Sequence, residues 1–123
     1  DPVVLKIAEQ YFKINEISNL ELILTDANVF VSQTTEIYDL IVIDIFQDCH
    51  MPDFLYSENF VSNIKKILKP KGYILFNTIV LNKTSEQKNK SFKNHFESSK
   101  FAFKSFPNID DKNELFLIKK EYE

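Results

Sequence analysis

The fold class of this chain depends most on the stretch Tyr38-Asp39-Leu40-Ile41-Val42-Ile43-Asp44-Ile45-Phe46-Gln47. Its centre, residues 40–43, is an apolar run rich in β-branched side chains and too short for a stable helix. Such a run predicts a strand that is buried on both faces, as in a parallel sheet. Asp44 follows directly, so we expect its carboxylate at the carboxyl end of the strand, the edge where open α/β sheets bind ligands.

The bulk composition is that of a soluble globular protein, and 123 residues are enough for one domain and too few for two. The formal net charge of −3 argues against nucleic acid and anionic membranes as partners. No apolar run approaches the roughly 20 residues of a membrane span, and no signal peptide is visible. Since the single cysteine, Cys49, cannot form an internal disulfide, we expect a cytoplasmic protein.

Helical and strand patterns alternate along the chain. We predict helices over residues 2–13, 27–32, 58–69 and 84–98, and strands over residues 20–25, 39–44, 73–78, 101–106 and 115–118. Asp1, Asp26 and Ser57 are the expected N-caps, and Val29 and Phe30 the expected buried side of the second helix. This order predicts an α/β fold with a Rossmann-like, mainly parallel sheet that ends in an antiparallel hairpin.

The order of elements resembles the later part of the class I S-adenosylmethionine-dependent methyltransferase fold. Within it, the residues are most similar to the spermidine/spermine synthase family. The matching pieces stand in the family's order and cover residues 1–80: Asp1-Pro2-Val3-Val4, Ile7-Ala8, Tyr11-Phe12, Thr25-Asp26-Ala27, Phe30, residues 38–44, Pro52, Leu55, Ser57-Glu58-Asn59-Phe60, Leu68-Lys69-Pro70-Lys71-Gly72 and Asn77.

The resemblance implies that the family's glycine-rich first turn and the acidic residue that binds the ribose hydroxyls lie before Asp1. A single glycine, Gly72, fits this interpretation, because a glycine-rich turn brings backbone N–H groups close to the ligand. We therefore expect residues 1–123 to be a single domain, the C-terminal part of a larger catalytic domain that binds S-adenosylmethionine or its decarboxylated form.

The resemblance also assigns roles to individual residues. Asp26 matches the aspartate that binds the adenine amino group, and Ala27 matches the neighbour whose backbone N–H meets the adenine ring. Asp44 matches the aspartate that helps to deprotonate the attacking amine and lies near the amino-acid end of the cofactor. Phe46 follows closely, and its ring could stack on adenine or close over the substrate.

The loop after the strand departs from the aminopropyltransferase pattern Asp-Ser-[Ser/Thr]-Asp-Pro-x-Gly-Pro. Here residues 44–52 read Asp-Ile-Phe-Gln-Asp-Cys-His-Met-Pro, without the second acidic residue or the glycine at their usual places. The loop's own acidic, cysteine and histidine residues have no recognised metal spacing, so a solvated loop without metal is favoured: Asp48, Cys49, His50 and Asp53. Adjacent Cys49 and His50 lack an orienting third group for nucleophilic catalysis.

Three hypotheses remain open. The first is a transferase of the spermidine-synthase-like type that uses S-adenosylmethionine and a small acceptor. The second is a true aminopropyltransferase of polyamine synthesis, using decarboxylated S-adenosylmethionine and putrescine. The third is a non-catalytic remnant or oligomerisation module, whose unpaired sheet edge would pair with a second copy to form a homodimer.

Overall fold

A four-stranded sheet and four α-helices make up the computed structural model, which describes residues 1–48 and 50–123. The helices are α1 (Pro2–Phe12), α2 (Ala27–Gln33), α3 (Glu58–Ile67) and α4 (Lys83–Asn94). The strands are β1 (Tyr38–Ile43), β2 (Leu68–Ile79), β3 (Phe101–Ile109) and β4 (Asn113–Lys120). Two short 3₁₀ turns, Ile14–Glu16 and Asp53–Tyr56, complete the described elements. None of the described helices is long and apolar enough to cross a membrane.

The strand order is β1-β2-β4-β3, with β1 parallel to β2 and β4 antiparallel to both β2 and β3. The α/β fold and the closing hairpin are therefore as predicted. The predicted sheet was mainly parallel, whereas among the described strands one pairing is parallel and two are antiparallel. This topology brings the carboxyl ends of β1 and β2 to one edge of the sheet. Because β4 runs the other way, its first residues lie at the same edge, and this carboxyl edge positions the candidate site.

The predicted N-caps are confirmed. The Asp1 carboxylate accepts a hydrogen bond from the Val3 N–H, the Asp26 carboxylate from the Asn28 and Val29 N–H groups, and the Ser57 hydroxyl from the Phe60 N–H. Each cap satisfies backbone donors that the first turn of a helix leaves free. Helix α2 accordingly begins one residue after Asp26, which fixes where its N-terminus meets the sheet.

One face of the sheet carries the core. Helices α3 and α4 cover this face with closely packed apolar and aromatic side chains, which include Phe60, Ile64, Ile74, Phe76, Phe92, Phe96, Phe116 and Ile118. The rings of Phe76 and Phe92 meet edge to face with centroids 4.6 Å apart, a favourable arrangement for aromatic pairs. Most of the phenylalanines thus serve packing.

The predicted strand at residues 20–25 is wrong: these residues form neither helix nor strand, and Leu22, Ile23 and Leu24 are exposed. A strand needs a neighbour for its backbone hydrogen bonds, and none of the described strands pairs with this segment. The apolar pattern alone does not supply that neighbour. Helix α1 behaves alike, since it forms where predicted but leaves Ile7, Tyr11 and Phe12 exposed.

Strand β1 forms as predicted, but its predicted burial on both faces is wrong. Leu40 and Val42 are 56% and 58% exposed, whereas Ile43 is buried against the core. Among the described strands β1 pairs only with β2, which makes it an edge strand, and the face that carries Leu40 and Val42 is exposed. The apolar run predicted the strand correctly because both faces are apolar, but not its place in the sheet.

Other boundaries also differ. Helix α3 ends at Ile67 rather than reaching Lys69, and β2 begins at once with Leu68, so the Lys69–Gly72 segment lies within a strand. Helix α4 ends at Asn94, four residues before the predicted end. In α2, Val29 is exposed instead of buried, and Val31 packs against the core in its place. Strands β3 and β4 extend into the predicted loop between them.

Candidate functional site

Asp44 lies at the carboxyl edge of the sheet, directly after β1. Its carboxylate Oδ1 accepts a hydrogen bond from the amide Nδ2 of Asn77, near the end of β2, at 3.2 Å. The parallel register, which pairs Ile43 with Phe76, places the next residues of the two strands side by side. Asp44 is exposed, and the Asn77 amide contacts one of its two carboxylate oxygens.

A cavity of about 290 Å³ opens beside this pair. It is lined by Val42, Asp44, Leu75, Asn77, Ile109 and Leu115. Two of the lining residues, Asp44 and Asn77, are polar, and the other four are aliphatic residues, one from each strand. A mainly apolar recess with a few polar groups is the usual form of a small-molecule site.

Asp26 and Ala27 lie at the N-terminus of α2. Both hydrogen bonds to Asp26 use Oδ1, at 2.8 Å from the Asn28 nitrogen and 3.2 Å from the Val29 nitrogen. Oδ2 therefore stays available as an acceptor. Ala27 lines a second cavity of about 280 Å³, which follows β1 between α2 and α3. The free Oδ2 atom has the acceptor character that an exocyclic amino group of a purine requires. The apolar wall of the cavity is lined by the neighbouring Ala27 and not by Asp26.

Phe46 follows Asp44 in the loop and is 38% exposed. It lines neither of these two cavities, and neither does Asp26. Asp44 and Ala27 line separate cavities, so the predicted site residues share the carboxyl end of β1 and the nearby α2 without forming one closed pocket. The predicted stacking role of Phe46 stays a prediction.

A third cavity, of about 500 Å³, lies between the loop after β1 and the start of α4. Its polar lining comes from Gln47, His50, Asp53, Tyr56, Asn82, Thr84, Ser85 and Lys88. Lys88 Nζ lies 2.6 Å from Asp53 Oδ1, and the Tyr56 hydroxyl lies 3.3 Å from Met51 Sδ. The two charged side chains therefore neutralise each other at the rim.

The pKa values of two groups in this cavity are shifted. The hydrogen bond and positive charge of Lys88 hold the pKa of Asp53 below its usual value. Burial raises the pKa of Tyr56 to about 12, and the Asp53 charge adds to this effect. At neutral pH the cavity thus presents a paired carboxylate and a neutral phenol.

The described part of the loop holds no cluster of three metal-ligating side chains. Asp48 occupies a left-handed turn, with φ of 56°, between the mutually hydrogen-bonded backbones of Gln47 and His50. Cys49 lies outside the described residues, so the hypotheses that involve it are not addressed by the structure.

Sequence patterns gave no functional role to three residues that lie at these sites: Asn77, Asn113 and Tyr56. They match Asn77 to the family without a role and predict Asn113 in a loop, yet both lie in the hydrogen-bonded chain that reaches Asp44. They predict irregular loop at Tyr56, which lies in a 3₁₀ turn. The signal that could have found Asn77 is its position next to Asp44 once two parallel strands are assumed.

Comparison with known proteins supports the resemblance. The sequence profile of the Spermine/spermidine synthase domain matches residues 1–122. The polyamine aminopropyltransferase of Vibrio vulnificus is 28% identical over 99 residues, which cover 78% of this chain and 33% of that enzyme. The N-terminal histidine N-methyltransferase of Emericella nidulans is 38% identical over 82 residues, 63% of this chain and 14% of that protein. The chain thus spans a third or less of these relatives.

The fold has solved counterparts. Human Methyltransferase-like protein 13, in complex with SAH, superposes with a TM-score of 0.78 at 19% identity. The match covers 95% of this chain and 56% of that one. At this identity the likeness establishes the fold, which is that of class I S-adenosylmethionine-dependent methyltransferases.

Proposed function

Since the chain belongs to the spermine/spermidine synthase domain family, we propose that it forms part of a transferase that uses S-adenosylmethionine or its decarboxylated form. Asp44 carries the proposal: its carboxylate ends β1 at the carboxyl edge and is held by Asn77 beside a cavity of about 290 Å³. Such a ligand supplies an activated carbon next to a sulfonium. The solved methyltransferase that binds SAH supports the same ligand class.

The residues present fit the two ends of that ligand. Asp26 Oδ2 would accept a hydrogen bond from an adenine amino group, and the Ala27 backbone would meet the ring. Asp44 stands near the place for the amino-acid or aminopropyl end. The chain's contribution to binding would thus be two carboxylates, Asp26 at the N-terminus of α2 and Asp44 after β1.

Asp44 has a second proposed task toward the acceptor. A primary amine is largely protonated at neutral pH, and only the free base is a nucleophile. The Asp44 oxygen that Asn77 leaves open would accept the amine's proton and orient its lone pair. Catalysis by such a positioned base contributes typically 10²–10⁴-fold to rate.

We further propose that the transferred group is a methyl group and that the acceptor is a small molecule. Among the described lining residues of the 500 Å³ cavity, Asp53 supplies the one carboxylate, and Lys88 already pairs with it. A diammonium acceptor such as putrescine that entered this cavity would meet no carboxylate among its described lining residues except the one paired with Lys88. This observation favours methyl transfer to a small acceptor over aminopropyl transfer to a polyamine.

Product analysis tests the proposed reaction. The protein is incubated with an amine acceptor and each of the two sulfonium nucleosides in turn. Methyl transfer releases S-adenosylhomocysteine, and aminopropyl transfer releases methylthioadenosine. We expect Asp44→Asn to lower turnover by about 10²-fold or more, with little change in thermal stability, because the side chain is exposed.

Asp39→Asn is the matched control, since Asp39 lies at the opposite end of the same strand and contacts Lys69 at 3.2 Å. It should leave turnover near that of the unmodified protein. Equal turnover of Asp44→Asn and unmodified protein would remove Asp44 from the mechanism.

A second candidate function is an oligomerisation module. The uncovered edge and face of β1, with Leu40 and Val42 exposed, favour it, because an open apolar edge strand is a template for pairing with another chain. Sedimentation at two protein concentrations tests it. A homodimer that Val42→Lys dissociates would support the module, and a monomer at both concentrations would contradict it.

A further inference from the structure

Asp44 is the first member of a chain of three side chains at the carboxyl edge. Asn77 Nδ2 donates to Asp44 Oδ1 at 3.2 Å, and Asn113 Nδ2 donates to Asn77 Oδ1 at 3.1 Å. The three residues come from three strands: Asp44 follows β1, Asn77 lies near the end of β2, and Asn113 begins β4. The hydrogen-bonded side chains therefore run across the sheet from strand to strand.

The topology explains why these residues meet. β1 and β2 are parallel and end together, and β4 is antiparallel and starts where β2 ends, with Ile79 opposite Asn113. Asp44 and Asn77 also line the same cavity, so they share one face of the sheet. Strands β1, β2 and β4 thus each place one polar side chain, within or directly after the strand, in this row of hydrogen bonds, and two of the three, Asp44 and Asn77, line the cavity.

The two hydrogen bonds that link these three side chains both donate in the direction of Asp44. A carboxylate only accepts hydrogen bonds, whereas an amide donates through its nitrogen and accepts through its oxygen. Because Asn113 donates to the Asn77 oxygen, the Asn77 nitrogen is turned toward Asp44. Without Asn113 the Asn77 amide would lose the contact that fixes which of its two ends faces the carboxylate.

Asn113 is suited to orienting the Asn77 amide because its own side chain is held by two contacts. Its Nδ2 lies 3.3 Å from the Thr78 carbonyl oxygen as well as 3.1 Å from Asn77 Oδ1, and the residue is half-buried. Asp44, in contrast, is exposed and comes after the last residue of β1. An exposed carboxylate at a strand end keeps one rotamer only if a neighbour holds it.

We propose that Asn77 and Asn113 are positioning residues, in which Asn113 orients the Asn77 amide and Asn77 in turn holds the Asp44 carboxylate toward the acceptor. The inference rests on the proposed function of Asp44 as the group that receives the acceptor's proton. One Asp44 oxygen is committed to Asn77, which leaves the other for the acceptor. A shift of the carboxylate would change turnover more than affinity, since the reacting geometry depends on it.

The first experiment needs no activity. Nuclear magnetic resonance of the chain follows the side-chain amide signals of Asn77. We expect one amide proton to be shifted by its bond to the carboxylate and to exchange slowly. Asp44→Ala should abolish the shift, and Asn113→Ala should abolish it as well, although Asn113 does not contact Asp44 directly.

Ser105→Ala is the matched control. It removes the 2.7 Å hydrogen bond from the Ser105 hydroxyl to Glu114 Oε2, next to Asn113, without touching Asn77. It should leave the Asn77 signal unchanged. An Asn77 signal that survives Asn113→Ala in a folded protein would overturn the proposal.

The second experiment is kinetic. We expect Asn113→Ala to lower kcat on the order of 10-fold with KM nearly unchanged, a part of the 10²–10⁴-fold that a positioned base contributes. In an Asp44→Asn background the same substitution should cause no further loss, because the group that it positions is gone. An equal loss in both backgrounds would mean a structural role and would contradict the proposal.

The two experiments distinguish failure of the proposed transferase function from failure of the proposed positioning role of Asn77 and Asn113. A protein without transfer activity toward any acceptor contradicts the proposed function, and the resonance measurement then decides the hydrogen-bonded chain alone. A protein that transfers normally, but whose Asn113 effect is independent of Asp44, retains the proposed function and loses the positioning chain.

Discussion

At the residue scale, Tyr56 shows most clearly how burial changes a side chain's chemistry. Its ring packs against Phe92 with centroids 6.4 Å apart, and its hydroxyl points toward Met51 and Asn89. Burial and the Asp53 charge raise its pKa to about 12. The phenol is therefore a neutral donor throughout the physiological range, and it links the 500 Å³ cavity to the core.

This shift predicts an alkaline transition. The pKa of Tyr56 is higher in the folded chain than the usual value of 10.0, so its contribution to stability is complete below pH 10 and is lost as the pH rises toward 12. The difference between the absorbance titrations of the unmodified chain and Tyr56→Phe should have its midpoint near pH 12. A midpoint near the usual value of 10.0 would show that the phenol is not desolvated.

A second residue-scale prediction concerns Lys120, which is buried although it carries a charge. Its ammonium donates to the carbonyl oxygens of Lys65 at 3.1 Å and Leu68 at 2.9 Å, at the C-terminal end of α3. A cation there satisfies carbonyls that the helix leaves free. Lys120→Met should lower the free energy of unfolding by about 1–3 kcal/mol, measured by urea denaturation.

Lys119→Met controls for the loss of a lysine in β4. Lys119 is partly exposed and lies 3.8 Å from Glu121, so its pair contributes little. Equal stability of the two variants would mean that the carbonyl contacts of Lys120 do not stabilise the chain.

Sequence patterns located Asp44 at the strand end and Asp26 at an N-cap, because short-range signals determine both. They could not assign Asn77 and Asn113, which meet only through the antiparallel return of β4, 36 residues away. The expectations of a cytoplasmic location and a homodimer stay predictions.

At the scale of elements, Gly72 of β2 lies where the backbones of β1 and β2 approach each other closely. A Cβ atom there would lie 2.8 Å from the Lys69 carbonyl oxygen and 2.9 Å from the Asp39 carbonyl oxygen. Its φ is not positive, so the glycine is required for space rather than for backbone conformation. The neighbouring Lys71 takes the left-handed conformation, with φ of 64°.

Gly72→Ala should therefore force β1 and β2 apart and lower the free energy of unfolding by about 1–3 kcal/mol, as overpacking commonly does. Chemical denaturation measures the change. Ser62→Ala, on the exposed side of α3, is the control, because it adds no atoms to a packed contact. A Gly72→Ala variant as stable as the control would contradict the close approach of the strands.

Elements were predicted where local signals suffice. Apolar periodicity, with predicted N-caps for α1, α2 and α3, located the four described helices. Two strand patterns joined by turn residues at 107–113 located the hairpin. The prediction of a strand at residues 20–25 was wrong because a strand forms only beside a partner strand, and the pattern of the segment itself does not show whether such a partner is present. The predicted end of α3 was wrong for a related reason. Leu68 of β2 pairs with Tyr38 of β1, and this pairing extends the strand back to the end of the helix.

At the scale of the whole molecule, the fold is one-sided. Helices α3 and α4 bury one face of the sheet, whereas Leu40 and Val42 on the other face stay exposed, together with Tyr73. The predicted alternation of helix and strand was enough to identify the α/β class, and the matching residue pieces identified the family. Neither predicted which face would be covered, because that depends on the order of strands in space.

We propose that Asp44 at the carboxyl edge, together with Asp26 and Ala27 at the N-terminus of α2, binds a sulfonium nucleoside. A resonance titration of the chain with S-adenosylmethionine tests it most directly, because it detects weak binding and locates it. We expect the largest shifts on Ala27, Asp44 and Asn77. Absent shifts, or shifts centred on the hairpin turn at residues 110–112, would contradict it.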